Sequence, residues 1–222
     1  MEYEVRYSNR KTLGITVERD RRVVVSAPHH VSPETIERVV LTKQQWIREK
    51  LHHTQKYPAV RPTKEFVSGE SLLYMGVQYR LSVVDEDIEG ICFEQEFIIS
   101  RKNRAEAHEL FKAWYMNQAT SIIKPLAFQY AERLGVQFSE CKVSEMKYRW
   151  GSCTPKDNII FNWRIVKAPL YVIHYLVVHE LAHLLEGNHS RRFWTIVSLQ
   201  APQYQKAKEW LKNHGAALEV DF

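Results

Sequence analysis

The stretch that most constrains this chain is His179-Glu180-Leu181-Ala182-His183, followed six residues later by His189. It lies late in an apolar run, Leu170-Tyr171-Val172-Ile173-His174-Tyr175-Leu176-Val177-Val178, that continues through Leu184 and Leu185. No Gly or Pro interrupts the run. Pro169 stands before it and Gly187 after it, which reads as one helix with a tolerated proline at its start and a glycine stop. Histidines four apart on a helix are about 40° apart around the axis and about 6 Å apart along it, so two imidazoles can close on one ion. Glu180, one residue from the first of them, is placed to act on a metal-bound water instead of ligating the metal. Two packed core histidines and a glutamate in so apolar a helix would each need an unrelated polar partner, so a zinc site of a metallopeptidase is the better reading.

A third ligand is required, and three residues compete for it. Glu186 lies on the same helical face but would have to stretch back down the helix, and Glu209 sits on a later helix. His189, after the turn at Gly187, is preferred. The adjacent pairs His29-His30 and His52-His53 point in diverging directions on a strand or helix and are not read as ligands.

Bulk properties narrow the setting. A length of 222 residues fits one large domain or two small ones. Three widely spaced cysteines, Cys92, Cys141 and Cys153, argue for free thiols in a reducing compartment. No segment approaches the roughly 18 apolar residues of a membrane span, and Met1-Glu2-Tyr3-Glu4 lacks the pattern of a secretory leader. The expectation is a cytoplasmic protein with no membrane partner. The net charge of +5 is uneven: residues 1–64 hold 13 Lys/Arg against 7 Asp/Glu, while the remainder holds 18 against 19. Such an excess attracts polyanions, nucleic acid included, although a solvated basic face is the preferred reading.

Periodicity predicts a β-rich part with one helix over residues 1–102 and a mainly helical part over 103–222. Strands are predicted at Glu2–Tyr7, Leu13–Glu18 and Arg22–Ala27, the last two joined by the turn Arg19-Asp20-Arg21. Ser32-Pro33-Glu34 opens a helix that fades near His52-His53. A proline-containing connection, Pro58 to Lys64, leads to four short strands between Leu72 and Ser100. A helical stripe from Leu110 to Leu134 should be kinked or split by Pro125. The strand Ile159–Arg164 could run along the cleft and pair with an extended substrate backbone. Two further helices follow, one stopped by Pro202 and the last ending at Gly215.

These residues carry a resemblance. The motif with Gly187-Asn188-His189-Ser190 and Phe193-Trp194, together with Arg149-Trp150-Gly151-Ser152-Cys153 and Asn162-Trp163-Arg164, resembles the YgjP-like zinc metallopeptidases, relatives of the SprT-like peptidases. Val23-Val24-Val25-Ser26-Ala27-Pro28, Trp46-Ile47 and the stretch from Gly69-Glu70 to Tyr79 match as well. The resemblance implies an α+β fold, with a β-rich N-terminal part and a helical peptidase part, one zinc ion on His179, His183 and His189, a catalytic Glu180, and protein or peptide substrates. The chain is not a metzincin: Glu186 stands where those enzymes carry glycine, and no methionine follows Met146.

Zinc-activated water with Glu180 as general base accounts for peptide hydrolysis. An oxyanion or substrate contact is sought among Tyr148, Arg149, Asn162 and Tyr204, and the Cys153 thiolate is a candidate latent zinc ligand. Two other functions compete. One is a nucleic-acid-associated protein, acting through basic residues 1–64 and including a protease of DNA-bound proteins. The other is a non-catalytic zinc module, which Glu180 opposes because a structural site needs no neighbouring base.

Overall fold

A computed structural model describes residues 2–18, 22–52 and 64–219. The turn Arg19-Asp20-Arg21, residue His53 and the connection over residues 58–63 lie outside the described residues. The chain divides into two compact units, Met1–Arg61 and Pro62–Phe222.

The first unit is a small sheet with two helices. Strands β1 (Glu4–Ser8), β2 (Gly14–Val17) and β3 (Val23–Pro28) take the order β1-β3-β2, with β1 parallel and β2 antiparallel to β3. The central strand is buried on both faces, as its Val-Val-Val run requires. Ser32 caps α1 (Pro33–Thr42), its hydroxyl accepting from the Thr35 N–H at 3.3 Å. The predicted single helix breaks at Lys43 and resumes as α2 (Gln44–His52). Ile36, Val40 and Ile47 close the core against Val23, Val25 and Ala27.

The second unit holds everything else. Strands β4 (Ser71–Tyr74), β5 (Val77–Val84), β6 (Ile91–Phe93) and β7 (Phe97–Ser100) form a sheet in the order β4-β5-β7-β6. A 3-10 segment leads into α3 (Ala107–Leu134), a continuous helix of 28 residues that carries Pro125 inside it. Of the expected kink or split, the split does not occur. Ala119 and Ile123 before the proline and Ala127, Tyr130 and Ala131 after it are all buried, so packing along the whole length outweighs one lost hydrogen bond.

The predicted boundary at residues 102 and 103 also moves. Phe97 of β7 packs edge-on against Phe111 of α3 at 5.5 Å, and Tyr115 meets Trp163 at 5.9 Å. One apolar core therefore joins β4–β7 to the helices, and the division falls at residues 61 and 62 instead.

Three short strands make the sheet that faces the site: β8 (Glu140–Ser144), β9 (Gly151–Cys153) and β10 (Asn158–Asn162), in the order β8-β10-β9. β10 is parallel to β8 and antiparallel to β9. Both of its sides are thus occupied, and of the two edge strands it is β9 that lines the cleft. The expectation that the strand beginning at Ile159 pairs with substrate moves to its neighbour for that reason.

Helix α4 (Leu170–Ala182) carries the motif. It stops before Gly187 because the chain tightens: Leu184 and Leu185 donate to Leu181 and Ala182 three residues back, at 3.0 and 3.1 Å. At its other end Pro169 is the N-cap residue. The turn between β4 and β5 presses on that proline, and a Cβ on Gly76 would lie 2.6 Å from the Pro169 ring. Helices α5 (Arg191–Gln200) and α6 (Tyr204–Leu218) complete the unit. α6 runs through Gly215 instead of ending there, since that glycine is buried inside the packed helix.

Candidate active site

Helix α4 sets Tyr175, His179 and His183 four residues apart on one face. Ser190 then opens α5 by accepting from the Phe193 N–H at 3.3 Å, which fixes the loop that returns His189. The three imidazoles converge. Their ligand nitrogens lie within 4.8 Å of one another, and the ring centroids are 5.0, 4.9 and 4.8 Å apart. The Nε2 atoms of His179 and His189 are 3.1 Å apart. Two nitrogens bound to a tetrahedral ion at about 2.0–2.1 Å would be about 3.3 Å apart, so this donor set fits a zinc-sized ion.

Apolar packing holds the triad in place. Phe193, fully buried, touches all three rings at centroid distances of 5.0, 4.6 and 4.7 Å, and Trp194 stacks on His189 at 5.6 Å. The nitrogens turned away from the centre have partners of their own. The hydroxyl of Tyr175 meets Nδ1 of His179 at 3.3 Å, and the Glu186 carbonyl meets Nδ1 of His183 at 3.3 Å. Burial, reinforced by His183, His189 and Lys208, pushes His179 down to about 3. Burial also lowers His183. Both rings are therefore neutral at physiological pH, the form that binds a metal.

Glu180 is only 5% exposed yet lines the same open cleft, whose volume is about 460 Å³. Its carboxylate lies flat against β9, where a Cβ on Gly151 would come within 2.5 Å of Oε1. Only glycine leaves room for it. Burial pushes Glu180 up to about 7, although the main-chain N–H of Cys153 and the charge of Arg149 pull the other way. A carboxyl poised there can exchange a proton near neutral pH.

The remaining sequence-predicted residues separate. Arg149 lines the cleft beside Glu180. Asn162 does not reach it: fully buried, it donates to the carbonyls of Met146 and Arg149 at 2.8 and 3.1 Å and so braces the loop that presents Arg149. Tyr148 is half exposed under Lys147 and does not line the cleft. Tyr204 stacks on Trp194 at 5.5 Å, behind the triad. Cys153 lines the cleft, but its sulfur is turned toward the Thr154 carbonyl at 3.8 Å and does not join the imidazole cluster. Burial, with Glu180 and Asp157 nearby, raises its thiol. Glu186 contributes its carbonyl rather than its carboxylate, and Glu209 is exposed on α6 outside the cluster.

Sequence reasoning passed over Tyr175, Phe193 and Gly151. For Tyr175 a signal existed, four residues before His179. For Gly151 none did, because its neighbour Glu180 is distant in sequence.

Among the described residues no helix is long and apolar enough to cross a membrane. No curated protein matches the chain. Among solved structures it is similar to the zymogen of abylysin, a metallopeptidase of Pyrococcus abyssi, at 21% identity and a TM-score of 0.38, over 45% of this chain and 98% of that one. It is also similar to the zymogen of jannalysin, a metallopeptidase of Methanocaldococcus jannaschii, at 19% identity and a TM-score of 0.37, over 40% of this chain and 92% of that one. The sequence profile of the YgjP-like metallopeptidase domain matches residues 11–214, nearly the whole chain and every residue of the cleft just described. With that match over both units, the chain belongs to the YgjP-like metallopeptidase family.

Proposed function

We propose that the protein is a zinc-dependent endopeptidase with one ion held by His179, His183 and His189. The observation that carries this reading is the convergence of three imidazoles beside a buried carboxyl in one open cleft. When bound, zinc supplies Lewis acidity, polarising the scissile carbonyl and acidifying a water. Glu180 takes up the proton of the attacking water at its carboxylate and delivers it to the leaving amine. Arg149, whose charge already acts on Glu180, is the residue placed to stabilise the developing oxyanion. The braced loop fixes the main chain from which Arg149 reaches the cleft.

Substrate orientation falls to β9. Trp150 and Thr154 turn their main-chain groups toward β10, bonding Asn162 N–H at 2.8 Å and Asn158 carbonyl at 2.9 Å. By strand alternation Gly151 and Cys153 turn theirs toward the cleft. The Cys153 N–H is used by Glu180, which leaves Gly151 to pair with an extended substrate segment. Such pairing reads main chain and accepts an internal segment of an unfolded protein. The unpaired cysteines support a reducing compartment, the cytoplasm, as the place of action.

The test compares wild type with Glu180→Gln and His189→Ala, by metal analysis and by cleavage of unfolded protein. Wild type should bind one zinc and cleave internally. Glu180→Gln should keep the zinc and lose cleavage, and His189→Ala should lose both. Cleavage that survives in Glu180→Gln, or zinc bound equally well without His189, overturns the reading.

A further inference from the structure

Three side chains stand four residues apart along one face of α4, and only two of them are imidazoles. Tyr175 precedes His179 by one turn, as His179 precedes His183. It is 6% exposed and does not line the cleft, so it cannot meet a substrate. A tyrosine in so apolar a helix must still find a partner for its hydroxyl. Among the described residues that partner is Nδ1 of His179, at 3.3 Å.

The choice of nitrogen matters. Nε2 of His179 faces Nε2 of His189, so Nε2 is the atom turned to the centre and Nδ1 the atom turned away. A neutral imidazole carries its proton on one nitrogen only. An acceptor at Nδ1 keeps the proton there and leaves the Nε2 lone pair free. His183 is served in the same way by the Glu186 carbonyl, at the same distance. The two ligands from α4 therefore have matched anchors, one from main chain and one from a side chain.

We infer that Tyr175 is a positioning residue for the metal centre: its hydroxyl oxygen accepts from Nδ1–H of His179 and fixes both the tautomer and the plane of that ring. This rests on the zinc reading above. It makes no contact with substrate and takes no part in proton transfer. A purely structural tyrosine would fill the same volume and contribute only to stability, and Tyr130 provides that comparison. Its hydroxyl meets Nδ1 of His174 at 2.8 Å, on the same helix but with no part in the triad.

The experiment measures zinc affinity by competition with a chromophoric chelator for wild type, Tyr175→Phe and Tyr130→Phe. It adds the visible spectrum of each cobalt-substituted protein. Tyr175→Phe should bind zinc at least about tenfold more weakly and shift the cobalt bands, as loss of an outer partner of a ligating histidine does. Tyr130→Phe should melt at a lower temperature with affinity and spectrum unmoved. In zinc-loaded wild type, the Nδ1 proton of His179 should give a slowly exchanging NMR signal, a measurement that does not depend on any variant folding. Wild-type affinity and spectrum in Tyr175→Phe, or absence of that proton signal, overturns this inference alone. A wild-type protein that binds no zinc overturns the active-site reading as well.

Discussion

The two ends of α4 are built from opposite materials. From Val172 to Val178 the helix is a nearly dry apolar rod, with Val172, Ile173, Val177 and Val178 fully buried. From His179 onward it carries two imidazoles and a carboxyl, and the chain leaves helical form within one turn of His183. A buried carboxyl whose proton affinity rises toward neutrality costs stability, and so do imidazoles kept uncharged. The apolar end supplies what the reactive end spends. The lesson is that reactivity is placed at the end of an element whose other end is overbuilt.

That contrast can be broken at the reactive end first. Glu180→Gln should lower kcat by about 10²–10⁴-fold with zinc content intact. In the metal-free protein the same substitution should also flatten a pH dependence. Glu180 holds its proton more tightly when folded than when unfolded, so stability falls as pH rises from 4.5 to about 7. The Gln variant should lack that fall, and a decline of equal size in urea titrations of both proteins would remove the buried carboxyl from the account.

At the apolar end the effect should move entirely to stability. Ile173→Ala should cost about 2–5 kcal/mol in urea unfolding, with kcat of the folded enzyme unchanged. A changed kcat would mean that the two ends are not separable. Gly151→Ala tests the reactive end indirectly, because its methyl group would displace the Glu180 carboxylate. About a 10²-fold loss of activity with full zinc occupancy is expected, and normal activity would show that the carboxylate has room to spare.

The smallest effect belongs to His174, in the apolar half. Burial, and then Arg133, lowers its proton affinity, so the unfolded chain takes up a proton below 6.5 that the folded chain refuses. Stability should therefore drop as pH falls through the ordinary histidine range, and His174→Gln should make that drop shallower, leaving the shares of His179 and His183. Thermal melts across that range measure it.

The reactive end was largely legible in the sequence, and the parts that frame it were not. The histidines and Glu180 announce themselves because ligand spacing is a local property of one helix and one turn. The Ser32 cap was legible for the same reason: it acts within four residues. Pro125 does not split α3 because packing along the whole helix outweighs the local rule. The boundary at residues 61 and 62 was hidden because the aromatic contacts between β7 and α3 are tertiary. β9 is only three residues long, too short for an alternation pattern, so the open edge was first assigned to the longer strand beside it. Asn162 was legible as polar and noteworthy, but its role as a brace depends on carbonyls 13 and 16 residues away.

The turn at Met75 and Gly76 has one more consequence. Its two N–H groups donate to the carbonyls of Val166 and Lys167, at 3.0 and 2.8 Å, just ahead of Pro169. A hairpin made early in synthesis thus waits for a segment made much later before its tip is satisfied. During translation the strands β4 and β5 emerge from the ribosome well before their docking surface exists, and long-range closures of this kind are slow. The clasp therefore closes on the segment that leads straight into α4, the helix that carries His179 and Glu180.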